Sequence, residues 1–278
     1  MENGVSGEGR RTLVEAFERF VFDLDGTIWR GETLLPHAAS TLAELRTRGK
    51  RLAFVTNNGS ISGRQIAERL GRLGITAYPR EVVTSGRAAR RLISDLGLRG
   101  ARAFVVGGSG LLEELEPLGL ELLDEREGEH ADVVVVTRDE GFTYARMRVA
   151  GRAIWRGAAF VATNTDPIFP VDEGFWPGGG AIVAAVRAAS GGVEPMVAGK
   201  PERPMLLEVQ EVVGEGSNDV LVVGDRPSSD LESARRMGWA GALVLTGVTE
   251  APQGLDPAPD ILLRDLSGLL DPEAVIQA

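Results

Sequence analysis

The sequence predicts an α/β protein built on a parallel sheet, and three observations carry that prediction. Short apolar runs ending in polar or glycine residues alternate with stretches of helical period along the whole chain, which is the pattern of βαβ units. The 278 residues leave room for one large domain or two ordinary ones, at a prior of about 150 residues per domain. Thirty-six residues are glycine, nearly double the usual ~7%, so the chain turns often.

The residues up to Gly9 read as a loose terminus. Strands follow at about Phe20–Asp23, Arg51–Thr56, Arg102–Val106, Asp132–Val136, Ala159–Ala162, Val220–Gly224 and Ala242–Leu245, each an apolar run stopped by a polar or small residue. Helices fill most of the gaps. Thr41, Leu42 and Leu45, and then Ile66, Leu70 and Leu73, recur at helical spacing and mark faces turned to the core. One helix begins at Gly178-Gly179-Gly180 and another near Pro204. Loops at Thr84-Ser85-Gly86 and Ala189-Ser190-Gly191-Gly192 suggest boundaries, dividing the chain into residues 1–84 plus 190–278 and an inserted unit, residues 85–189.

Composition narrows the chemistry. Thirty Lys and Arg against 40 Asp and Glu give a net charge of −10, which lacks the basic footprint of a dedicated nucleic-acid binder, so no nucleic-acid partner is expected. The absence of cysteine excludes disulfides, thiolate zinc sites, iron–sulfur clusters and a cysteine nucleophile. Only His37 and His130 offer imidazole, and His37, after Pro36 at a helix start, reads as structural. No run approaches the ~18 apolar residues of a membrane span; Val133 to Val136 are bounded by Asp132 and Arg138. The first 19 residues mix acids and arginines without the apolar stretch of a secretory signal, so a cytoplasmic setting is the expectation.

Four segments carry candidate chemistry. In Phe20-Val21-Phe22-Asp23-Leu24-Asp25-Gly26-Thr27 a strand runs directly into two carboxylates one residue apart. At the carboxyl end of a parallel strand, where α/β folds form their ligand crevice, positions i and i+2 can face the same side. Gly26 then permits a tight reversal that frees backbone N–H groups for an anion. Thr56-Asn57-Asn58-Gly59-Ser60 ends a second strand with small hydrogen-bonding groups, although helix capping by Ser60 or Ser62 explains part of that run equally well. Gly224-Asp225-Arg226-Pro227-Ser228-Ser229-Asp230 ends a third strand with two carboxylates five residues apart, and Gly199-Lys200-Pro201 holds one lysine before a helix.

In order and residue type these segments resemble the four motifs of the haloacid dehalogenase-like hydrolases. Asp23-Leu24-Asp25-Gly26-Thr27 is similar to the first, Thr56-Asn57-Asn58 to the second, Lys200 to the third, and Gly224-Asp225 with Asp230 to the fourth. Trp29-Arg30-Gly31, Ala162-Thr163-Asn164-Thr165-Asp166 and Pro177-Gly178-Gly179-Gly180 resemble the phosphatase branch with a large C2-type cap, which includes p-nitrophenylphosphatase-like enzymes, phosphoglycolate phosphatases and nucleotide phosphatases. Ser228 departs from the pattern, since relatives often carry a charged residue there. The resemblance implies a Rossmann-like doubly wound core with an inserted α/β C2-type cap, and often dimerisation through the cap.

For function, the resemblance implies magnesium-dependent hydrolysis of small phosphorylated metabolites. Asp23 would be the nucleophile and form an aspartyl-phosphate, and Asp25 the general acid and base. Thr56, Asn57 and Lys200 would hold the phosphoryl group, with Asn58 supporting their loop. Asp23, the Asp25 carbonyl and Asp225 would bind the metal, with Asp230 beside them. The charge balance agrees: Asp23, Asp25 and Asp225 with Lys200 total −2, which a hard divalent cation such as Mg2+ neutralises. Superfamily dehalogenases generally lack the second aspartate, so Asp25 favours phosphoester over carbon–halogen cleavage.

The roughly 140 residues between Asn58 and Lys200 exceed any structureless loop in a compact domain and must fold. In them, Asn164 and Asp166 are candidates for substrate contacts, and Phe175 and Trp176 for pocket walls; Trp29, near the first motif, is either a moving flap or a packed anchor. A dinucleotide site at Gly107-Gly108-Ser109-Gly110 is the main rival, but Glu113 stands where its third glycine belongs. The residues also remain compatible with a noncatalytic binding protein, and with a phosphotransferase or mutase using the same site.

Overall fold

The computed structural model describes residues 12–171, 174–216, 218–249, 251, 253–271 and 275–276. The terminus up to Gly9 lies outside them. Along the chain, α1 (Leu13–Ala16) leads into β1 (Arg19–Asp23), the ribbon β2 (Trp29–Arg30) and β3 (Thr33–Leu34), α2 (Ala38–Thr47), β4 (Arg51–Thr56), α3 (Gly63–Arg72), β5 (Val82–Thr84) and α4 (Ser85–Asp95). There follow β6 (Arg102–Val106), α5 (Ser109–Leu115), β7 (Glu121–Leu122), β8 (Val133–Val136), α6 (Tyr144–Trp155), β9 (Ala159–Ala162), the hairpin β10 (Ile168–Val171) and β11 (Gly174–Pro177), α7 (Gly179–Ala189) and β12 (Met196–Val197). The chain then returns through α8 (Arg203–Val213), β13 (Val220–Gly224), α9 (Glu232–Met237), β14 (Ala240–Val244), β15 (Ile261–Leu263) and β16 (Val275–Ile276).

Among the described residues, the first sheet has the order β16-β15-β14-β13-β1-β4-β5, and every neighbouring pair is parallel except the edge pair β15 and β16. The inserted segment builds a second, parallel sheet, β12-β9-β8-β6-β7. The α/β class and the doubly wound core with an inserted α/β unit therefore hold. The seven expected strands are present within two residues at each end.

Both faces of each sheet are covered, which explains the unbroken apolar strands. Phe20, Phe22 and Phe54 pack on one face of the first sheet, and Val21, Ala53 and Val55 on the other. In β8, Val133 and Val135 enter this second cluster, whereas Val134 and Val136 pack with α6 and α7. The two sheets thus share one continuous apolar cluster, joined through Ala88, Ala89 and Ile93 of α4 and Leu111 and Leu115 of α5.

Some expectations change. Thr84-Ser85-Gly86 is not a loop: Thr84 ends β5, and its hydroxyl caps α4 by accepting from the Arg87 N–H. The small polar residues that suggested a break are the direct strand-to-helix turn. Ser62, rather than Ser60, caps α3 by accepting from the Gln65 N–H. His37 takes a left-handed conformation (φ 63°) just before α2 and has a structural part in that turn. Gly110 serves packing and not a dinucleotide: a Cβ there would lie 2.4 Å from the Ser60 carbonyl oxygen, so the glycine lets α5 lie against the loop after β4.

Candidate active site

Three adjacent strands bring the predicted motifs together. β1 is central, with β13 on one side and β4 on the other, so Asp23, Thr56 and Gly224 all stand at neighbouring carboxyl ends. Asp225 follows directly, and the helical turn Pro227–Leu231 carries Asp230 back toward it. The Asp23, Asp225 and Asp230 side chains offer ligand oxygens within 4.8 Å of one another, and all three residues are buried. Lys200 enters from the connection between β12 and α8. Its Nζ donates to Asp23 Oδ1 and, at 2.7 Å, to Asp230 Oδ1. Asp23, Asp25, Asp225 and Lys200 line one cavity of about 370 Å3.

Backbone geometry makes this convergence possible. Gly26 (φ +89°) sits so close to Asp225 that a Cβ would lie 2.4 Å from its Oδ2, which only glycine permits in that conformation. The Val248 N–H holds the same oxygen. Asp230 Oδ2 accepts from the Arg226 N–H at 3.0 Å, so both of its oxygens are engaged.

Burial pushes the Asp23 carboxyl well above the usual carboxylate range; Lys200 pulls it down, while Asp230, Asp225 and Asp25 push it further up. Burial and Asp230 push Asp225 up to about 6. For Lys200, burial works to lower the ammonium's pKa, but Asp23 and Asp230 overcome it and raise it. These directions have one cause. Three buried carboxylates around one ammonium leave a net charge of −2 when all are ionised, and this surplus favours a proton on Asp23, on Asp225 and on Lys200. It equally favours a hard cation. An all-oxygen set of this kind suits Mg2+.

The predicted phosphoryl-binding residues divide. Thr56 Oγ1 accepts from the Asn58 N–H at 3.0 Å, which leaves its hydroxyl hydrogen to donate into the cavity it lines. The Asn57 side chain is committed elsewhere: Oδ1 accepts from the Lys200 N–H at 2.8 Å, while Nδ2 donates to the Lys200 carbonyl at 3.3 Å and to Asp166 Oδ2 at 3.1 Å. Its amide therefore fixes the Lys200 backbone. Asn58 Oδ1 accepts from Ser60 N and Oγ within the same loop.

The inserted segment reaches this loop directly. Asn164 Nδ2 donates to the Asn57 carbonyl at 2.7 Å, and Asp166 lies 3.6 Å from the Arg226 guanidinium. Both residues line the cavity while also tying the two sheets together. Phe175 and Trp176 are corrected: they are exposed, and the wall residues are Ile168 and Phe169 of the facing strand β10. Trp29 is an anchor, 2% exposed, with Arg69 stacked on its ring. Ser228 is exposed, whereas Ser229 and Asp230 of the same turn line the cavity.

Several contributors carry little or no signal in the sequence. Ser85 donates to the Asn57 carbonyl at 2.6 Å, and Arg138 donates to Ser60 Oγ at 3.3 Å from the second sheet. Arg226 had a visible signal, since it follows Asp225 directly. The Val248 N–H had none, because a main-chain donor leaves no mark in residue type.

Comparison with known proteins agrees with this geometry. A family model described as haloacid dehalogenase-like hydrolase matches residues 20–121, and a HAD-hydrolase-like model matches residues 197–269. An acid sugar phosphatase of Staphylococcus aureus is 34% identical over 256 residues, covering 91% of this chain and 97% of its own. The glycerol phosphate phosphatase of Mycobacterium tuberculosis, solved in complex with magnesium, superposes with a TM-score of 0.85 at 34% identity over 94% of this chain and 79% of its own. A p-nitrophenyl phosphatase from Archaeoglobus fulgidus gives 0.82 at 33% identity over 92% and 99%. The chain belongs to the haloacid dehalogenase-like hydrolases, in their C2-capped phosphatase branch of phosphoric monoester hydrolases.

Proposed function

We propose that the protein hydrolyses small phosphate monoesters with Mg2+ as cofactor, through an aspartyl-phosphate on Asp23. The observation that carries this reading is the buried cluster in which Lys200 bridges Asp23 and Asp230 with Asp225 alongside, at the floor of the cavity. Asp23 and Asp225, with the Asp25 main-chain carbonyl, would hold the metal, and Asp230 would orient Lys200 beside them. When bound, Mg2+ supplies the positive charge that lets a phosphoryl dianion approach these carboxylates.

The remaining chemistry belongs to side chains. An Asp23 oxygen attacks phosphorus and forms a P–O bond while the ester P–O bond breaks, and Asp25 gives its proton to the departing alkoxide. Water then attacks the phosphoryl phosphorus and passes a proton to Asp25. The bond to Asp23 breaks, and phosphate leaves with both carboxyl groups restored. Lys200 stabilises charge on Asp23 and on the transferring group, and Thr56 donates to a phosphoryl oxygen. We take the second sheet with its helices, about residues 85–189, as the cap, with β12 returning to its edge. Asn164, Asp166, Ile168 and Phe169 then border the substrate's leaving group.

The direct test is phosphate release from p-nitrophenyl phosphate with and without Mg2+. Metal-dependent release supports the reading, and no release from this ester or from a panel of sugar, glycerol and nucleoside phosphates overturns it. Stability offers a second measurement. Because folding raises the Asp23 and Asp225 carboxyls, the metal-free protein binds protons more tightly folded than unfolded. The stability these groups contribute is fully present below pH ~4, their unfolded range, and is lost as pH rises through about 6 for Asp225. Mg2+ binds the ionised carboxylates, so at one fixed Mg2+ concentration the rise in Tm over chelator should be larger near pH 7.5 than near pH 5; a concentration a hundredfold above Kd corresponds to about 2.7 kcal/mol of stabilisation. Equal rises at both pH values would contradict the cluster's role.

A further inference from the structure

Trp29 lies behind the site and does not line the cavity, yet it touches the group that moves the proton. Its Nε1–H donates to Asp25 Oδ1 at 2.9 Å. The indole is 2% exposed, whereas Asp25 is exposed to the cavity. The segment from Leu24 to Trp29 closes on itself: the Leu24 carbonyl accepts from the N–H groups of Thr27, Ile28 and Trp29, and the Gly26 N–H donates to the Trp29 carbonyl at 2.7 Å. The ring is held from the other side by the Arg69 guanidinium, 4.2 Å from the ring centroid, and Arg69 itself bonds the Gly31 carbonyl.

A carboxylate on an exposed aspartate rotates between several orientations, and only some of them aim an oxygen at the ester. We propose that Trp29 is a positioning residue, whose buried indole N–H fixes one oxygen of Asp25 so that the other faces the leaving-group oxygen of the substrate. This rests on the reading of Asp25 as proton donor. Indole suits the task because it is a donor only and is too deeply packed to swing, so it can hold an oxygen without competing for the proton. Arg69 stacking removes the remaining freedom of the ring.

The test compares the protein with Trp29→Phe and Asp25→Asn on two esters in saturating Mg2+: p-nitrophenyl phosphate, whose leaving anion is stable without protonation, and glycerol phosphate, whose alkoxide is not. The constant read is kcat/KM, which reports the steps up to phosphoenzyme formation. Trp29→Phe keeps an aromatic ring and removes the N–H. It is expected to lower kcat/KM for glycerol phosphate about 10-fold or more, through kcat, and to lower it far less for p-nitrophenyl phosphate. Asp25→Asn should give the same split, enlarged. If Asp25→Asn divides the two esters and Trp29→Phe lowers both alike or neither, the positioning role of Trp29 is overturned. If Asp25→Asn does not divide them, the assignment of Asp25 fails instead.

A second measurement stands even if Trp29→Phe fails to fold. Of the four tryptophan indole N–H groups, those of Trp29 and Trp239 are buried and hydrogen-bonded, and one of the two protected resonances they should give is expected to shift in Asp25→Asn. Four unshifted resonances would overturn the contact.

Discussion

Asp23→Asn is expected to abolish turnover, lowering kcat by about 10⁴-fold or more, as removal of a covalent nucleophile does in other hydrolases. The amide keeps the shape of the carboxyl group but lacks its nucleophilic lone-pair charge, so it forms no bond to phosphorus. The fold should not suffer. Asp23 is 8% exposed among two other buried carboxylates, and its charge is the one that burial resists most plainly. Removing that charge from a cluster of net −2 lessens repulsion in the metal-free protein, so its Tm should stay level or rise. Steady-state phosphate release and a melting curve in chelator check the two halves together. A variant that retained most of the metal-dependent activity would remove Asp23 from the mechanism, whereas a variant that lost both activity and fold would mean that the carboxylate stabilises the cluster.

Lys200→Met should damage catalysis and stability at once. The ammonium side chain is 7% exposed and is the cation bonded to both Asp23 and Asp230. Methionine fills much of the same volume but leaves two buried carboxylates without it. Loss of one preorganised donor typically lowers the rate about 10²–10³-fold. Breaking a buried ion pair from one side destabilises by about 3–5 kcal/mol, because the remaining charges stay desolvated. The Asp23 carboxyl, which burial already pushes up, can escape by taking up a proton, so the destabilisation should be smaller near pH 5 than near pH 7.5, and Mg2+ should restore part of it. Urea unfolding in chelator near pH 5 and near pH 7.5 measures the first effect. A loss of stability independent of pH would point to packing rather than to charge.

The sequence disclosed the site unevenly, for physical reasons. Asp23, Asp25, Lys200, Asp225 and Asp230 were legible because carboxylates and a lysine at strand ends are chemically conspicuous, and parallel strands bring their carboxyl ends to one edge. Asn57 was legible as a site residue, but its hydrogen bonds were not. Its amide pairs with the main chain of Lys200, 143 positions away, and residue type does not reveal a main-chain partner. Phe175 and Trp176 drew notice through their size, yet hairpin register decides which strand faces inward, and alternation with period two cannot choose between β10 and β11. Thr84 to Gly86 looked like a loop because caps and strand ends use the same small polar residues as turns. The core strands were clearest of all, since residues covered on both faces need no alternation.

The apolar cluster common to the two sheets bears on any attempt to exchange substrate preference between relatives by swapping whole insertions. Cutting at Ser85 and Ser190 would sever α4 from the strands it rests on and divide the cluster that holds Ala88, Ile93, Leu111 and Val133 together with Met205 and Val209. A chimera made there would inherit mismatched halves of a single interior. Transplanting only the hairpin Ile168–Pro177, which stands apart from that interior and whose Ile168 and Phe169 border the cavity, leaves the shared packing whole and is the graft this architecture tolerates.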